Sequence, residues 1–487
     1  MKKNKIIGEI ESLDKFDDDE QLQEGMRVRR VQLLEELRHM SERQTTMLKQ
    51  KSRVKWIGKG DMNNKFFHSR LRWRSINNDI KGLLIEGERC EEPEKVKCEV
   101  KKYFENRFQA QQKRCLKLDG VQFCNITATQ NEKLSDKFRE EEILEAVNQC
   151  AGTRSPSPDG FNFQFIKHNW DILGGDFIKA IHYFHETGYI PKGCNASFIV
   201  LVPKRVISSN LGDCRPISLV GYVYKILAKI LANRIKEVLH NVTDKNQSTF
   251  LRGRGLLDNV LTANETVDFL RKEKSKGVIV KVDFEKAYDS VEWDFLEYMM
   301  GRLCFNYMWI YWIKMYLSSA TVSVLINGSP TKEFKPRRGL RQGDPLAPFL
   351  FLIVVEGLAG LVREATRVGL LDGIGVGSKA FDVKLLQFAD DTLFFCQPKY
   401  QCILTIKVIL RSFEVVSGLK VNFHKSQVGA IGVDDVDLNI FSNCLNCGRM
   451  EFPFKYLGIT IRGNPRKEEF WRPIIHKIRS KLFTWKG

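Results

Sequence analysis

The sequence predicts a mixed α/β (α+β) fold, because strand-like and helix-like segments alternate over most of its length. SFIVLVPK at 197–204 and GVIVKVDF at 277–284 have the length and β-branched content of buried strands. Between them, DCRPISLVGYVYKILAKILANRIKEVL at 213–239 predicts a turn followed by a long amphipathic helix. This alternation continues to about residue 462, and the 487 residues allow roughly two to four domain-sized units.

Residues 1–55 predict a helical N-terminal arm, either one long helix or a helical hairpin. Apolar residues recur near one helix face among Arg, Lys and Glu, at Leu22, Met26, Leu34, Leu37, Met40 and Leu48. Residues 56–150 form a basic linker or N-terminal extension. Within it, WIGKGDMNNKFFHSRLRWRS at 56–75 mixes cations with flat rings, a combination that suits single-stranded nucleic acid. A solvated basic face with a few core aromatics explains the same stretch equally well.

Charge and hydropathy restrict the class of partner. The formal net charge of +18 favours a polyanion, either nucleic acid or an anionic membrane surface. The longest apolar stretch, 345–362, is interrupted by Glu356, whereas a membrane span needs roughly 20 apolar residues, so we predict a buried helix. The N-terminus has no apolar run of a secretory signal, and the twelve cysteines form no disulfide framework. We therefore expect an intracellular protein, in the cytoplasm, the nucleus or both.

Two acidic segments carry the most specific chemistry. Asp283 ends the strand of GVIVKVDF, and LLQFADDTLFF at 385–395 predicts two strands joined by a turn that holds Asp390 and Asp391. A lone acidic pair at a turn is common, so a surface hairpin is one explanation. If the two strands are neighbours in one sheet, however, three carboxylates meet and repel one another unless divalent cations lie between them. Carboxylates suit Mg²⁺, and two such ions support phosphoryl transfer.

A glycine-containing basic loop favours polymerisation over hydrolysis. RRGLRQGDPLAPFLF at 337–351 leads from this loop into the apolar helix. Gly339 and Gly343 permit close backbone approach, and Gln342 offers a hydrogen-bond donor and acceptor near a base pair.

In this order, the segments resemble the reverse transcriptases of non-LTR, LINE-type retrotransposons, a family abundant in plant genomes. VDFEKAYDSV is similar to the family's first catalytic motif, GLRQGDPLAPFLF to its nucleotide-side loop, and QFADDTLFF to its acidic hairpin. SGLKVNFHKS resembles its lysine motif and FPFKYLGI the base of its thumb. LVPKR, DCRPISLVGYVYKILAKILANRIK and QSTFLRGR resemble its fingers, with SPSPDGF and GDMNNKFFH before them.

The resemblance implies a right-hand polymerase fold. Fingers and palm would occupy 151–462, with a core at 190–462 and an antiparallel palm sheet backed by helices. Residues 463–487 would begin a truncated thumb, and the N-terminal arm is too short for the endonuclease of full elements. The implied partners are an RNA template, a DNA primer and dNTPs, with no membrane and with the oligomeric state open. The implied cofactor is Mg²⁺, as two ions, with Mn²⁺ as a substitute.

The resemblance also implies roles for single residues. Asp283, Asp390 and Asp391 would be the catalytic metal ligands, and the ring of Tyr288 would block a ribose 2′-hydroxyl. The remaining candidates are Lys204 and Arg215 for the triphosphate, Gln342 and Gly343 for the nucleotide pocket, and Lys425 as proton donor to pyrophosphate. A core aromatic is the alternative for Tyr288, and a solvated surface lysine is the alternative for Lys425.

Three functions remain open at this stage. The first is an RNA-directed DNA polymerase, and the second is a catalytically silent nucleic-acid-binding remnant without a complete thumb. The third is a viral-type RNA polymerase, against which Tyr288 and the FADD sequence argue. Three positions depart from the family pattern: Ser157 replaces the usual Gly, Asn64 the usual Thr, and Thr249 a small apolar residue.

Overall fold

The computed structural model describes most of the chain in two compact units. The described ranges are 2–17, 24–52, 68–69, 71–73, 79–80, 82–85, 88–110, 117–152, 160–203, 211–377 and 381–461, with single residues and short pieces between 468 and 482. One unit comprises Met1–Asp79 with Ile475–Gly487, and the other comprises Ile80–Ile474. Lys204, Asn64, Ser157 and most of the GDMNNKFFH and SPSPDGF segments lie outside the described residues.

The first unit contains a helical hairpin, one of the two forms expected for the N-terminal arm. Its helices are α1 (Lys2–Asp17) and α2 (Glu24–Ser52). Ile6 and Ile10 of α1 bury their side chains against Leu33 of α2. Arg30 closes the other end of the pair with an ion pair of 2.6 Å to Asp14. Leu33 rather than Leu34 enters the interface, since Leu34 stays 39% exposed.

The second unit alternates helices and strands, as the sequence predicts. Its helices are α3 (Pro93–Arg107), α4 (Ala128–Ser135), α5 (Glu140–Gln149), α6 (Phe163–His168), α7 (Trp170–Thr187), α8 (Tyr222–Val242), α9 (Leu256–Lys272), α10 (Ala287–Ser290), α11 (Trp293–Arg302), α12 (Tyr307–Ser318), α13 (Ala347–Arg367), α14 (Tyr400–Ser417) and α15 (Asp435–Leu445). Its strands are β1 (Leu83–Ile85), β2 (Glu88–Cys90), β3 (Ala196–Pro203), β4 (Cys214–Val220), β5 (Gly277–Val282), β6 (Thr321–Ile326), β7 (Ser329–Pro330), β8 (Ile374–Val376), β9 (Phe381–Val383), β10 (Leu385–Phe388), β11 (Asp391–Cys396), β12 (Gln427–Ile431), β13 (Gly448–Arg449), β14 (Phe454–Tyr456) and β15 (Ile459–Ile461).

A five-stranded central sheet has the order β10-β11-β5-β12-β13. The expected antiparallel sheet is confirmed for its first four strands, and only the two-residue edge strand β13 pairs in parallel, with β12. Helix α13 is mostly buried and joins one hydrophobic core cluster with side chains of β5, β10 and β11, which explains the apolar stretch that contains Glu356. In the part of the chain that the structure describes, helices long and apolar enough to cross a membrane are absent.

A second sheet has the order β4-β3-β6-β7, and β3 pairs in parallel with β6. Strand β4 corrects the sequence prediction, which placed a turn before helix α8. Pro216 within this segment favours a turn over a strand when only the sequence is considered. Strand β4 lies at the sheet edge, however, where a residue without an N–H is tolerated. Helix α3 covers this sheet through Val96, Val100 and Phe104, which join one buried cluster with β3 and β6 side chains.

Candidate active site

Two neighbouring strands bring the three predicted carboxylates together. Thr392 of β11 pairs with Val282 of β5, so Asp391 at the start of β11 lies opposite Asp283, the residue that follows β5. Phe388 pairs with Asp391 across the β10–β11 hairpin, which leaves Asp390 in its tight turn. The register of the central sheet therefore assembles the acidic cluster of Asp283, Asp390 and Asp391.

The charges of this acidic cluster influence one another. Burial raises the pKa of Asp390, and the charge of Asp283 adds to this rise. A hydrogen bond that the Asp390 carboxylate accepts from its own backbone N–H opposes it. Partial desolvation raises the pKa of Asp391, the charges of Asp390 and Asp283 add to that rise, and Lys281 opposes it. Asp390 and Asp391 thus each carry an electrostatic cost in the absence of a counter-ion.

The hairpin tip is held in an unusual backbone conformation. Ala389, which precedes Asp390, has a φ of 55°, in the left-handed region that non-glycine residues seldom adopt. The buried side chain of Gln247 accepts the N–H of Ala389 at 3.3 Å through Oε1. Ser248 then donates its N–H to the carbonyl of Gln387 at 3.1 Å. The QSTF segment therefore supports the turn that presents Asp390, a role that sequence reasoning did not assign.

A turn after α14 holds Asp283 from the other side. The carbonyl of Asp283 accepts the N–H of Asn422 at 2.8 Å, and its N–H donates to Ser426 Oγ at 3.1 Å. Lys425 lies in this same turn, and its side chain is exposed. The fold thus brings the Lys425 backbone beside the acidic cluster while leaving its ammonium in solvent.

Tyr288 lies on the short helix α10, close to the acidic cluster. Its ring stacks on Phe351 of α13 with centroids 4.6 Å apart and an interplanar angle of 17°. Burial raises the pKa of Tyr288 far above its usual range, and the charge of Asp390 raises it further. The hydroxyl of Tyr288 is therefore neutral at ordinary pH. Its ring packs against the core residue Phe351 and also lies close enough to Asp390 to feel its charge.

The loop before α13 docks on strand β4. Gln342 accepts the N–H of Ser218 at 2.8 Å through its backbone carbonyl. Gly343 has a φ of 101°, and a Cβ there would lie 3.1 Å from the Ser218 carbonyl oxygen. Arg215 is an exposed residue of the same strand. Gln342 and Gly343 therefore lie against β4, the strand that carries Arg215.

Asp344 is a buried acid of this loop to which sequence reasoning gave no role. Its carboxylate accepts hydrogen bonds from Tyr224 Oη and Tyr316 Oη, at 2.7 Å each. The two tyrosine rings stack with centroids 4.2 Å apart, and the Arg341 guanidinium lies 4.0 Å from the Tyr224 centroid. Burial raises the pKa of both tyrosines, so they remain hydroxyl donors. An acid inside the apolar run GDPLAPFLF was the available sequence signal.

The donor set of the acidic cluster fits a hard divalent cation. Among the described residues, a group of three or more His, Cys, Asp or Glu side chains arranged to hold a metal ion by themselves is absent. Mg²⁺, however, takes only one or two protein carboxylates and fills its other positions with water and substrate phosphates. Asp283, Asp390 and Asp391 supply oxygen ligands whose mutual repulsion a cation would relieve.

A sequence profile of a known family covers the part of the chain that carries this site. The sequence profile described as "Reverse transcriptase (RNA-dependent DNA polymerase)" matches residues 202–461, more than half of the chain. The acidic cluster, Tyr288, the loop before α13 and Lys425 all fall within the matched range.

Retrotransposon proteins are among the relatives. The "Transposon TX1 uncharacterized 149 kDa protein" of Xenopus laevis is 26% identical over 468 residues, which is 93% of this chain and 34% of that protein. The "Retrovirus-related Pol polyprotein from type-2 retrotransposable element R2DM" of Drosophila melanogaster is 25% identical over 329 residues, 64% of this chain and 30% of that protein. The chain spans about a third of the length of these relatives. The profile match over residues 202–461 shows that the chain belongs to the reverse transcriptase (RNA-dependent DNA polymerase) family, as its resemblance to LINE-type elements predicted.

Proposed function

We propose that this chain catalyses RNA-templated addition of deoxynucleotides to the 3′-hydroxyl of a DNA primer. The observation that carries the proposal is the convergence of Asp283, Asp390 and Asp391 at the adjoining ends of β5 and β11. Membership of the reverse transcriptase family supports it, and so does the net charge of +18, which favours binding of a polyanionic template.

In this mechanism, Asp283, Asp390 and Asp391 would hold two Mg²⁺ ions, with Mn²⁺ as a substitute. Bound ions would activate the primer hydroxyl and neutralise charge on the departing pyrophosphate. The chain's own residues orient the nucleotide: Gln342 and Gly343 line its pocket, and the cations of Lys204 and Arg215 bind its triphosphate. The ring of Tyr288 excludes a 2′-hydroxyl, and Lys425 donates a proton to pyrophosphate.

Primer extension on an RNA template tests the proposal. Wild-type protein should incorporate dNTPs with Mg²⁺, and Asp390→Asn should lower kcat by at least about a hundredfold. Asp176→Asn is the matched control, because Asp176 is an exposed acid on α7 whose contact with Lys179 spans 3.8 Å. Equal incorporation by wild type and Asp390→Asn would refute the proposed site. Salt-sensitive RNA binding by a wild type that does not extend the primer would instead favour the silent nucleic-acid-binding remnant.

A further inference from the structure

A buried ion pair joins helix α3 to the helix that carries Tyr288. Arg107, the last residue of α3, pairs through Nη2 with the carboxylate of Asp289 on α10. The side chains are only 10% and 2% exposed. Arg107 Nε and Nη1 are buried and find no hydrogen-bond partner among the residues that the structure describes. Within the described part of the chain, this guanidinium therefore makes its polar contact with the Asp289 carboxylate. Asp289 directly follows Tyr288 in the sequence.

The end of α3 also holds the loop before α13. The carbonyl of Phe108 accepts the N–H groups of Arg337 and Arg338, at 2.8 and 3.2 Å. Arg338 returns the contact, since its Nε donates to the carbonyl of Arg107 at 2.9 Å. The C-terminal end of α3 thus contacts both α10 and the start of the loop before α13.

These two segments are bonded to each other as well. Leu340 donates its N–H to the carbonyl of Tyr288 at 2.7 Å, and Gly339 donates to Val291 at 2.7 Å. A Cβ at Gly339, where φ is 86°, would lie 2.7 Å from the Asp289 carbonyl oxygen. Displacement of Asp289 would therefore shift the loop and the Tyr288 backbone together.

A second contact from α3 reaches Lys286, the residue that precedes α10. Lys286 donates from Nζ to Tyr103 Oη at 2.8 Å, and its ammonium lies 5.3 Å from the centre of the Tyr103 ring. Helix α3 precedes the profile match at 202–461, whereas the TX1 relative aligns with 93% of the chain. The region that supports Tyr288 therefore extends beyond the matched range.

We propose that Arg107 is a positioning residue for sugar discrimination: through Asp289 it holds α10 and the loop before α13, so that the Tyr288 ring stays against Phe351 and excludes ribonucleotides. This inference rests on the proposed function, because it concerns the choice between dNTP and rNTP at that site. Arg107 itself touches no substrate in this mechanism; it acts through Asp289 and Tyr288.

The test compares two buried arginines of the same unit. Arg107→Met removes the charge but keeps an apolar chain near Phe104, whose ring centre lies 5.7 Å from the guanidinium carbon. Arg234→Met is the matched control, because Arg234 is also 10% exposed in its ion pair with Glu142 and lies 4.4 Å from the Phe138 ring centre. The contacts of Arg234 lie on the α4–α5 segment and not on α10 or the loop. Both variants should lower Tm, so the control corrects for lost stability.

The readout is the ratio of kcat/KM for dTTP to that for UTP on one primer and RNA template. Arg107→Met should lower this ratio by about tenfold, mainly through a lower KM for UTP and a higher KM for dTTP, and Arg107→Lys should recover part of it. Arg234→Met should keep the wild-type ratio. An unchanged ratio in Arg107→Met, or an equal loss in both variants, would overturn the inference.

Hydrogen exchange separates failure of this inference from failure of the proposed function. Peptides that cover 284–292 and 337–345 should exchange faster in Arg107→Met and at the wild-type rate in Arg234→Met. Absence of primer extension by wild type would count against the proposed function alone. Unchanged exchange in Arg107→Met would overturn the positioning role whether or not the wild type extends a primer.

Discussion

Asp283 and Asp391 face each other across two neighbouring antiparallel strands, one just after the end of β5 and the other at the start of β11. Asp390 completes the cluster from the hairpin turn. Burial and mutual repulsion raise the pKa of Asp390, so the folded protein holds a proton there more tightly than the unfolded chain does. The acidic cluster therefore lowers stability at neutral pH when no cation is bound.

Asp390→Asn should consequently raise Tm at pH 7 in the presence of EDTA, by roughly 1–2 °C. The gain should disappear as the pH falls below the ordinary aspartate pKa of 3.8, where the carboxyl is protonated in both states. Calorimetry at the two pH values measures this difference. The exposed-site variant Asp176→Asn should leave Tm unchanged, and a lower Tm for Asp390→Asn at pH 7 would contradict the proposed electrostatic cost.

Asp344→Ala should destabilise the protein by about 3 kcal/mol, because the buried hydroxyls of Tyr224 and Tyr316 would lose their shared acceptor. Asp344→Asn should cost less, since one amide oxygen can still accept a hydrogen bond. Urea denaturation of the two variants measures the difference. A loss below about 1 kcal/mol in Asp344→Ala would mean that this network does not hold the loop.

Gly343→Ala should cost about 1–2 kcal/mol and raise the KM for dNTP. The φ of 101° disfavours a side chain, and the new Cβ would press on the Ser218 carbonyl oxygen. Gly301→Ala on α11 is the control, since a Cβ there meets no atom within 4 Å and alanine should stabilise the helix by about 0.5–1 kcal/mol. Denaturation and steady-state kinetics test both effects. Equal stability of the two variants would show that the loop does not need glycine at 343.

Thr249→Val should stabilise the protein by about 1 kcal/mol. Thr249 is 2% exposed, and its hydroxyl finds no hydrogen-bond partner within the described part of the chain. Thr331→Val is the matched opposite, because the Thr331 hydroxyl is also buried but accepts the N–H of Val324 at 3.0 Å. Thr331→Val should therefore lower the free energy of unfolding by a similar amount. Thermal denaturation should show a higher Tm for Thr249→Val and a lower Tm for Thr331→Val than for the wild type. A lower Tm for Thr249→Val would indicate a hydrogen-bond partner for that hydroxyl.

The family, the alternation of strands and helices and the acidic candidates could be predicted from the sequence, because each depends on short segments. A β-branched run followed by an acid is legible in GVIVKVDF, and so is a hairpin in LLQFADDTLFF. Strand β4 was missed because Pro216 resembles a turn signal until its edge position is known. Asp344 was visible as an acid in an apolar run, but its tyrosine partners come from two other helices.

What the sequence alone determined is therefore the local chemistry: three carboxylates at strand ends, a glycine loop, an aromatic after the first acid and a strongly basic chain. The tertiary structure decided which of these groups meet. The β5–β11 register places Asp283 opposite Asp391, Gln247 supports the turn of Asp390, and Arg107 reaches Asp289 from a helix far earlier in the chain. The physical reason is that strand register and the burial of an ion pair depend on packing between distant segments, whereas propensity and periodicity act only between neighbours in sequence.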